Sequence, residues 1–128
     1  MKLLLDTCSL LWFLTNDAKL SSYIRTVIED ASNERWLSPI SLMEIALKVR
    51  IGKLPLPASY AVMFPALLNL NKITLFPVEA RHIEPLTTLP MHHKDPFDRL
   101  IAATALVEGL TLVSADSAFD AYGVTRLW

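Results

Sequence analysis

Leu3-Leu4-Leu5-Asp6-Thr7 is the stretch on which the reading of this chain turns. Three consecutive apolar residues with no polar alternation suit a short strand buried on both faces. Asp6 closes the run. A carboxylate set directly at the end of a buried strand needs a partner, because an ionised group is costly to take from water alone.

Downstream of Asp6 the pattern changes to helix. Asp6 to Leu14 supplies Leu10, Leu11, Phe13 and Leu14, and Asn16-Asp17-Ala18 breaks it. Ser21 or Ser22 can cap a second helix with Ile24, Val27 and Ile28 on one face. Arg35-Trp36-Leu37-Ser38 reads as a second strand, and Ser38-Pro39 opens a helix that runs to Gly52. After the connector Leu54-Pro55-Leu56-Pro57, the stretch from Ala58 to Asn69 is expected to be helical despite Pro65. Ile73 to Phe76 is a third strand, Glu79 to Thr87 a short helix, and Leu89 to Asp95 a loop. Asp95-Pro96 starts a helix ending at Gly109, followed by a strand at Leu110 to Val113, a helical turn at Ser117 to Ala121 and a last short strand within Gly123 to Trp128. Strands that alternate with helices imply right-handed crossovers. The expected fold is α/β, three-layered, with a central parallel sheet of four to five short strands and helices on both faces. Residues 1–128 are expected to form one domain.

Composition narrows the class. The chain is 52% hydrophobic, enough for a full core with apolar residues left for a subunit or partner contact. Twelve Lys and Arg against thirteen Asp and Glu leave a net charge of -1, which is no footprint of a strongly basic nucleic-acid binder. The lone cysteine, Cys8, allows no internal disulfide and agrees with a reducing cytoplasm. No segment reaches the roughly 18 unbroken apolar residues of a membrane span. Asp6 also ends the first apolar run too early for a signal peptide.

The carboxylates carry the chemistry. In an open parallel sheet, ligands bind at the carboxyl ends of the strands. Asp6 directly follows the first strand and Asp116 lies three residues past the end of the fourth. Glu44 falls in the second turn of the helix after strand two, and Asp98 in the first turn of the helix before strand four. All four converge on one rim. Clustered carboxylates repel one another. Magnesium or manganese, which choose oxygen ligands, would relieve that repulsion and suit hydrolysis of a phosphodiester.

Each acid also has a simpler role. Asp95 is the best N-cap of its helix, which makes Asp98 a favourable first-turn charge. Ser41-Leu42-Met43-Glu44 matches a capping box, and Asp116 can cap the turn at Ser117. Lys48 lies one turn after Glu44 and would stand beside a substrate if Glu44 faces the rim. His92, His93 and Lys94 read as a solvated loop or as phosphate contacts, and Arg99 pairs with Asp95 or meets phosphate. Cys8 reads as a packed small hydrophobe, Arg50 and Lys53 as solvated charge, and Trp12, Phe13, Tyr60 and Phe64 as core or contact surface.

At these positions the chain resembles a PIN-domain protein, and more closely a VapC-type toxin of a toxin–antitoxin pair. The likeness rests on Leu4-Leu5-Asp6-Thr7-Cys8, on Ser38-Pro39-Ile40-Ser41-Leu42-Met43-Glu44-Ile45, and on His93-Lys94-Asp95-Pro96-Phe97-Asp98-Arg99-Leu100-Ile101-Ala102-Ala103. Leu112-Val113-Ser114-Ala115-Asp116 and Phe119 complete it, so it spans essentially the whole chain. The resemblance implies a Mg²⁺- or Mn²⁺-dependent ribonuclease with Asp6, Glu44, Asp98 and Asp116 as the acidic quartet, Asp6 and Asp98 foremost as metal ligands. Thr7, Ser9 and Ser114 would orient those ligands or bound water. It also implies a homodimer and a cognate antitoxin whose C-terminal segment covers the site. Cys8 stands where many relatives carry Asn or another small polar residue. Two other readings compete: a haloacid-dehalogenase-like phosphatase, which wants an Asp where Cys8 stands, and a non-catalytic metal-holding or receiver-like module, which wants an acidic pair beside a mid-chain Asp.

Overall fold

The computed structural model describes all residues, Met1–Trp128. Five strands form one sheet: β1 (Lys2–Leu5), β2 (Glu34–Leu37), β3 (Ile73–Leu75), β4 (Thr111–Val113) and β5 (Thr125–Leu127). Their spatial order is β3-β2-β1-β4-β5 and every neighbouring pair is parallel. β1 is the central strand, with Leu5 in register with Leu37 on one side and Val113 on the other. The helices are α1 (Thr7–Leu14), α2 (Ser22–Glu29), α3 (Pro39–Arg50), α4 (Tyr60–Met63), α5 (Ala66–Leu70), α6 (Ala80–Ile83) and α7 (Pro96–Glu108). Two 3₁₀ turns, Glu84–Thr87 and Ser117–Tyr122, complete the chain.

The apolar run of β1 is buried on both faces, as its lack of alternation requires. Leu3 and Leu5 enter one core with Leu10, Phe13, Ile24, Ile28, Ile45 and Leu68 from the helices. Leu4 points the other way and packs with Ile101, Ala102 and Ala105 of α7 and with Phe119 and Tyr122. A two-residue period therefore divides three leucines between two cores.

Local signals set most helix ends. The Ser38 hydroxyl accepts Ile40 N–H at 3.2 Å, with Pro39 as the first residue of α3. Gly109 ends α7 in the left-handed region at φ 65°, which a side chain would make costly. Asn16 takes φ 55° in the break after α1, a conformation Asn tolerates.

One expectation fails: the stretch from Ala58 to Asn69 is two short helices, α4 and α5, not one. Pro65 offers no N–H to a continuing helix, and the residue before a proline is pushed out of helical backbone. Phe64 accordingly sits at φ -121°, ψ 132°.

Two-faced burial has a direct test. Leu4→Ala and Leu5→Ala should each lower stability by about 3 kcal/mol, read as a drop in urea midpoint at unchanged slope. A sheet packed on one face only would show the loss in one variant and not the other.

Candidate active site

The parallel sheet brings three backbone starts to one rim. α1 begins directly after β1, and the turn at Ser117 follows β4. α7 runs back antiparallel to β4, so it starts at that same edge. Each start is capped by an aspartate. Ser9 N donates to Asp6 Oδ1 at 2.7 Å, Phe97 N to Asp95 Oδ1 at 2.8 Å, and Ala118 N to Asp116 Oδ1 at 2.9 Å. In all three, Oδ1 serves the backbone, and the carboxylate lines the rim. Unpaired N–H groups at helix starts also favour negative charge there, which offsets part of the repulsion among the acids.

These acids share a cleft of about 290 Å³. Asp6, Thr7, Cys8, Trp12, Glu44, Lys48, Asp95, Asp98, Asp116 and Phe119 are among its walls. Asp6, Glu44, Asp98 and Asp116 thus meet in one place. Glu44 lies within α3, past a helix start at Ser38, so Ser41 and Glu44 form no capping box. Its carboxylate is buried and held at both oxygens: Oε2 accepts from Lys48 Nζ at 2.8 Å, and Oε1 lies 3.1 Å from Thr7 Oγ1. Thr7 Oγ1 is also 3.0 Å from Ser41 Oγ. A carboxylate can only accept, so the Thr7 proton goes to Glu44 and Ser41 donates to Thr7.

The supporting hydroxyls are buried. Ser9 Oγ donates to Val113 O at 3.0 Å, tying α1 to the end of β4. Ser114 Oγ accepts Asp116 N–H at 3.0 Å. Burial raises the Asp6 carboxyl above its ordinary range, while hydrogen bonds from Ser114 and Ser9 pull it back. Asp98 has no cap bond to offset its burial. Burial first, then the Asp95 charge, push it up to about 6, against the pull of His93.

Four residues lie differently from the sequence reading. Asp95 does cap α7, yet its carboxylate also faces the cleft: Glu44, Asp95 and Asp98 place one oxygen each within 4.8 Å of one another. Capping and cleft roles coexist because they use different oxygens. Cys8 is exposed, not packed. The inward face of α1 is taken by Ser9, Leu10 and Phe13, which turns Cys8 to the cleft. Enclosure by the cleft, then the Asp6 and Glu44 charges, raise its thiol above the usual value.

His93 is no solvated loop residue. Its backbone N–H donates to Tyr122 Oη at 2.6 Å and its ring rests on Phe119 at 4.7 Å. Nε2 lies 3.1 Å from Asp116 Oδ2, off hydrogen-bond alignment, and Nδ1 lies 3.7 Å from Asp98 Oδ2. The ring thus spans two of the acids. Arg99 is turned elsewhere: its guanidinium donates to Leu86 O and Leu89 O at 3.3 and 3.0 Å, not to Asp95.

Comparison with known proteins agrees with this geometry. The PIN domain family model matches residues 3–124. The chain belongs to the PIN-domain family. A chain in the crystal structure of VapBC2 from Rickettsia felis, bound to a DNA fragment from their promoter, is similar with a TM-score of 0.74 at 16% identity. That match covers 99% of this chain and 98% of the other. The crystal structure of FitAcB from Neisseria gonorrhoeae gives 0.60 at 22% identity, covering 98% and 96%. FitAB bound to an IR36 DNA fragment gives 0.62 at 18%, covering 98% and 93%. No curated protein matches the sequence. The family match gives the phosphatase and receiver-like readings no support.

The raised Asp98 carboxyl carries a sign. The folded protein holds this proton more tightly than the unfolded chain, so ionising Asp98 costs stability. That cost is absent below its ordinary 3.8 and complete above about 6. Without metal, stability should therefore fall as pH rises through this window. Asp98→Asn should be more stable than the parent near pH 7, by at most about 3 kcal/mol. The advantage should vanish near pH 4, as urea titrations in chelator would show.

Proposed function

We propose that this chain is a Mg²⁺- or Mn²⁺-dependent endoribonuclease, the toxin of a VapBC-type toxin–antitoxin pair. One observation carries the reading: five carboxylates and one lysine line a single cleft at the carboxyl rim of the sheet. Nothing in packing calls for that concentration of charge, and crowded acids are costly.

The donor set fits a hard divalent cation. It is all oxygen, and Glu44, Asp95 and Asp98 lie close enough to share one ion. Asp98, common to that trio and to the acidic quartet, would hold it directly, with Asp6, Asp116, Asp95 and Glu44 joining directly or through water. Once bound, such an ion supplies positive charge against a phosphodiester and makes water a better nucleophile.

The chain's own residues supply the rest. Thr7 and Lys48 hold Glu44 from both sides. Ser9 and Ser114 fix the backbone from which Asp6 and Asp116 project. His93 steadies Asp98 and Asp116 and stands within reach of a substrate phosphate. Lys48, whose side chain is half exposed, offers an ammonium to the same phosphate. Arg99, committed to the Leu86 and Leu89 carbonyls, has no part in this arrangement.

The partners follow from likeness and surface. VapBC2 and FitAB, whose chains share this fold, support a cognate antitoxin. The outer side of α3 and its end expose Met43, Leu47 and Ile51 at helical spacing, and Val62 and Leu70 are also exposed. Such surface suits a homodimer or the antitoxin contact. No helix is long and apolar enough to cross a membrane. Together with the unpaired cysteine, this supports a cytoplasmic site of action.

The assay uses purified protein, structured RNA and Mn²⁺ or Mg²⁺. Cleavage should stop with chelator and fall at least about 100-fold in Asp6→Asn and in Asp98→Asn. Cleavage that persists in both variants would defeat the site assignment. Growth arrest on expression, relieved by the product of a small adjacent gene, would support the toxin role.

A further inference from the structure

Arg126 lies on β5, at the edge of the sheet, and its guanidinium joins two points of one loop. Nε and Nη2 donate to Asp120 Oδ1 and Oδ2 at 2.7 and 2.9 Å. Nη1 donates to Ser114 O at 3.0 Å. Between Ser114 and Asp120 stands Asp116, one of the acids of the cleft.

The frame around this loop is short. β4 and β5 pair over three residues, and Ser114 N–H to Leu127 O at 3.3 Å extends the ladder by one bond. Inside the loop, Ser114 Oγ accepts Asp116 N–H at 3.0 Å, and Asp116 Oδ1 accepts Ala118 N–H at 2.9 Å. The Asp116 side chain is thus oriented by its own loop, and Arg126 fastens that loop to the sheet on either side of it. A guanidinium fork sets direction as well as distance, which a point charge does not. Its two bonds also hold the Asp120 carboxyl below its ordinary value, so the pair is ionised at neutral pH.

Stability alone accounts poorly for the arrangement. The Asp120 side chain is 54% exposed, and exposed ion pairs contribute little to folding. What the fork does fix is the Ser114 carbonyl, two residues before a cleft acid. Building on the metal-dependent reading, we propose that Arg126 is a positioning residue, which sets Asp116 toward a divalent cation through Ser114 O and Asp120. Charge and position then predict opposite signs. Arg126 is a cation that interacts with the Asp116 charge, so by charge alone its removal would strengthen binding of a second cation. Loss of position weakens that binding.

The test reads metal affinity and loop order, not cleavage. Mn²⁺ is titrated into the full chain, with the free ion followed by electron paramagnetic resonance. Amide hydrogen exchange is followed separately in chelator. Arg126→Gln should weaken Mn²⁺ binding about 10-fold, the scale of losing an outer partner of a metal site. It should also speed exchange at Asp116 and Ala118 while leaving Ser9, the amide that caps on Asp6, unchanged. Arg126→Lys keeps the charge without the fork and should weaken Mn²⁺ binding as well; it decides the matter if Arg126→Gln misfolds. In an Asp116→Asn background, Arg126→Gln should change Mn²⁺ binding little, because the group it acts through is gone. Mn²⁺ binding that is unchanged or stronger in folded Arg126→Gln overturns the proposal. So does an equal loss in the Asp116→Asn background, or exchange unmoved at Asp116 and Ala118. A parent chain that binds no Mn²⁺ overturns the metal reading and this proposal with it. A parent that binds Mn²⁺, with both Arg126 variants unmoved, overturns this proposal alone.

Discussion

A carboxylate has two oxygens, and the rim of this sheet is organised around dividing them. Asp6, Asp95 and Asp116 each give Oδ1 to a backbone N–H that would otherwise be orphaned at the start of a helix or turn. That bond fixes the side chain without consuming its charge. The second oxygen is left at the cleft in a defined direction. The same contact therefore starts an element of the fold and orients a carboxylate at the cleft. Substituting such a residue by alanine removes a cap as well as a charge. Asparagine keeps an acceptor oxygen and is the cleaner probe of chemistry.

Asp98 and Glu44 lack this arrangement and are held otherwise. Glu44 is neutralised in place, with Lys48 on one oxygen and Thr7 on the other. Asp98 has the weakest support. Its contact to His93 is 3.7 Å, and its neighbours are mostly other acids. Its ionised form would gain from an added cation, whose attraction offsets the desolvation and the repulsion of the neighbouring acids. On the proposed reading, Asp98 is where charge crowding would turn into affinity for metal.

The two-period of β1, the Ser38-Pro39 start and the Gly109 stop are local rules, and the alternation of strands with helices makes the sheet parallel. For that reason the fold was legible from Leu3-Leu4-Leu5 outward, and so was the meeting of Asp6, Glu44, Asp98 and Asp116. What was not legible depended on geometry within a turn. Treating cap and site as alternatives put Asp95 outside the cleft, although the two roles use different oxygens. Cys8 was judged by residue type, but the phase of α1 decides its direction. His93 needed Phe119 and Tyr122 beneath its ring, residues more than 25 positions away, before it could be told from a solvated loop. The split between α4 and α5 was the one readable signal set aside, since Pro65 announces it.

The charge balance of the cleft raises a point about where binding energy can come from. The acid cleft carries five carboxylates against Lys48 alone, so before a cation enters it repels the polyanion it is proposed to cut. Long-range attraction offers little help, since the chain as a whole is at -1. On the proposed nuclease reading, affinity for RNA would then come from contacts outside the acids and from the cation itself. On that reading a basic composition is not required: a bound metal would supply positive charge where phosphate reacts.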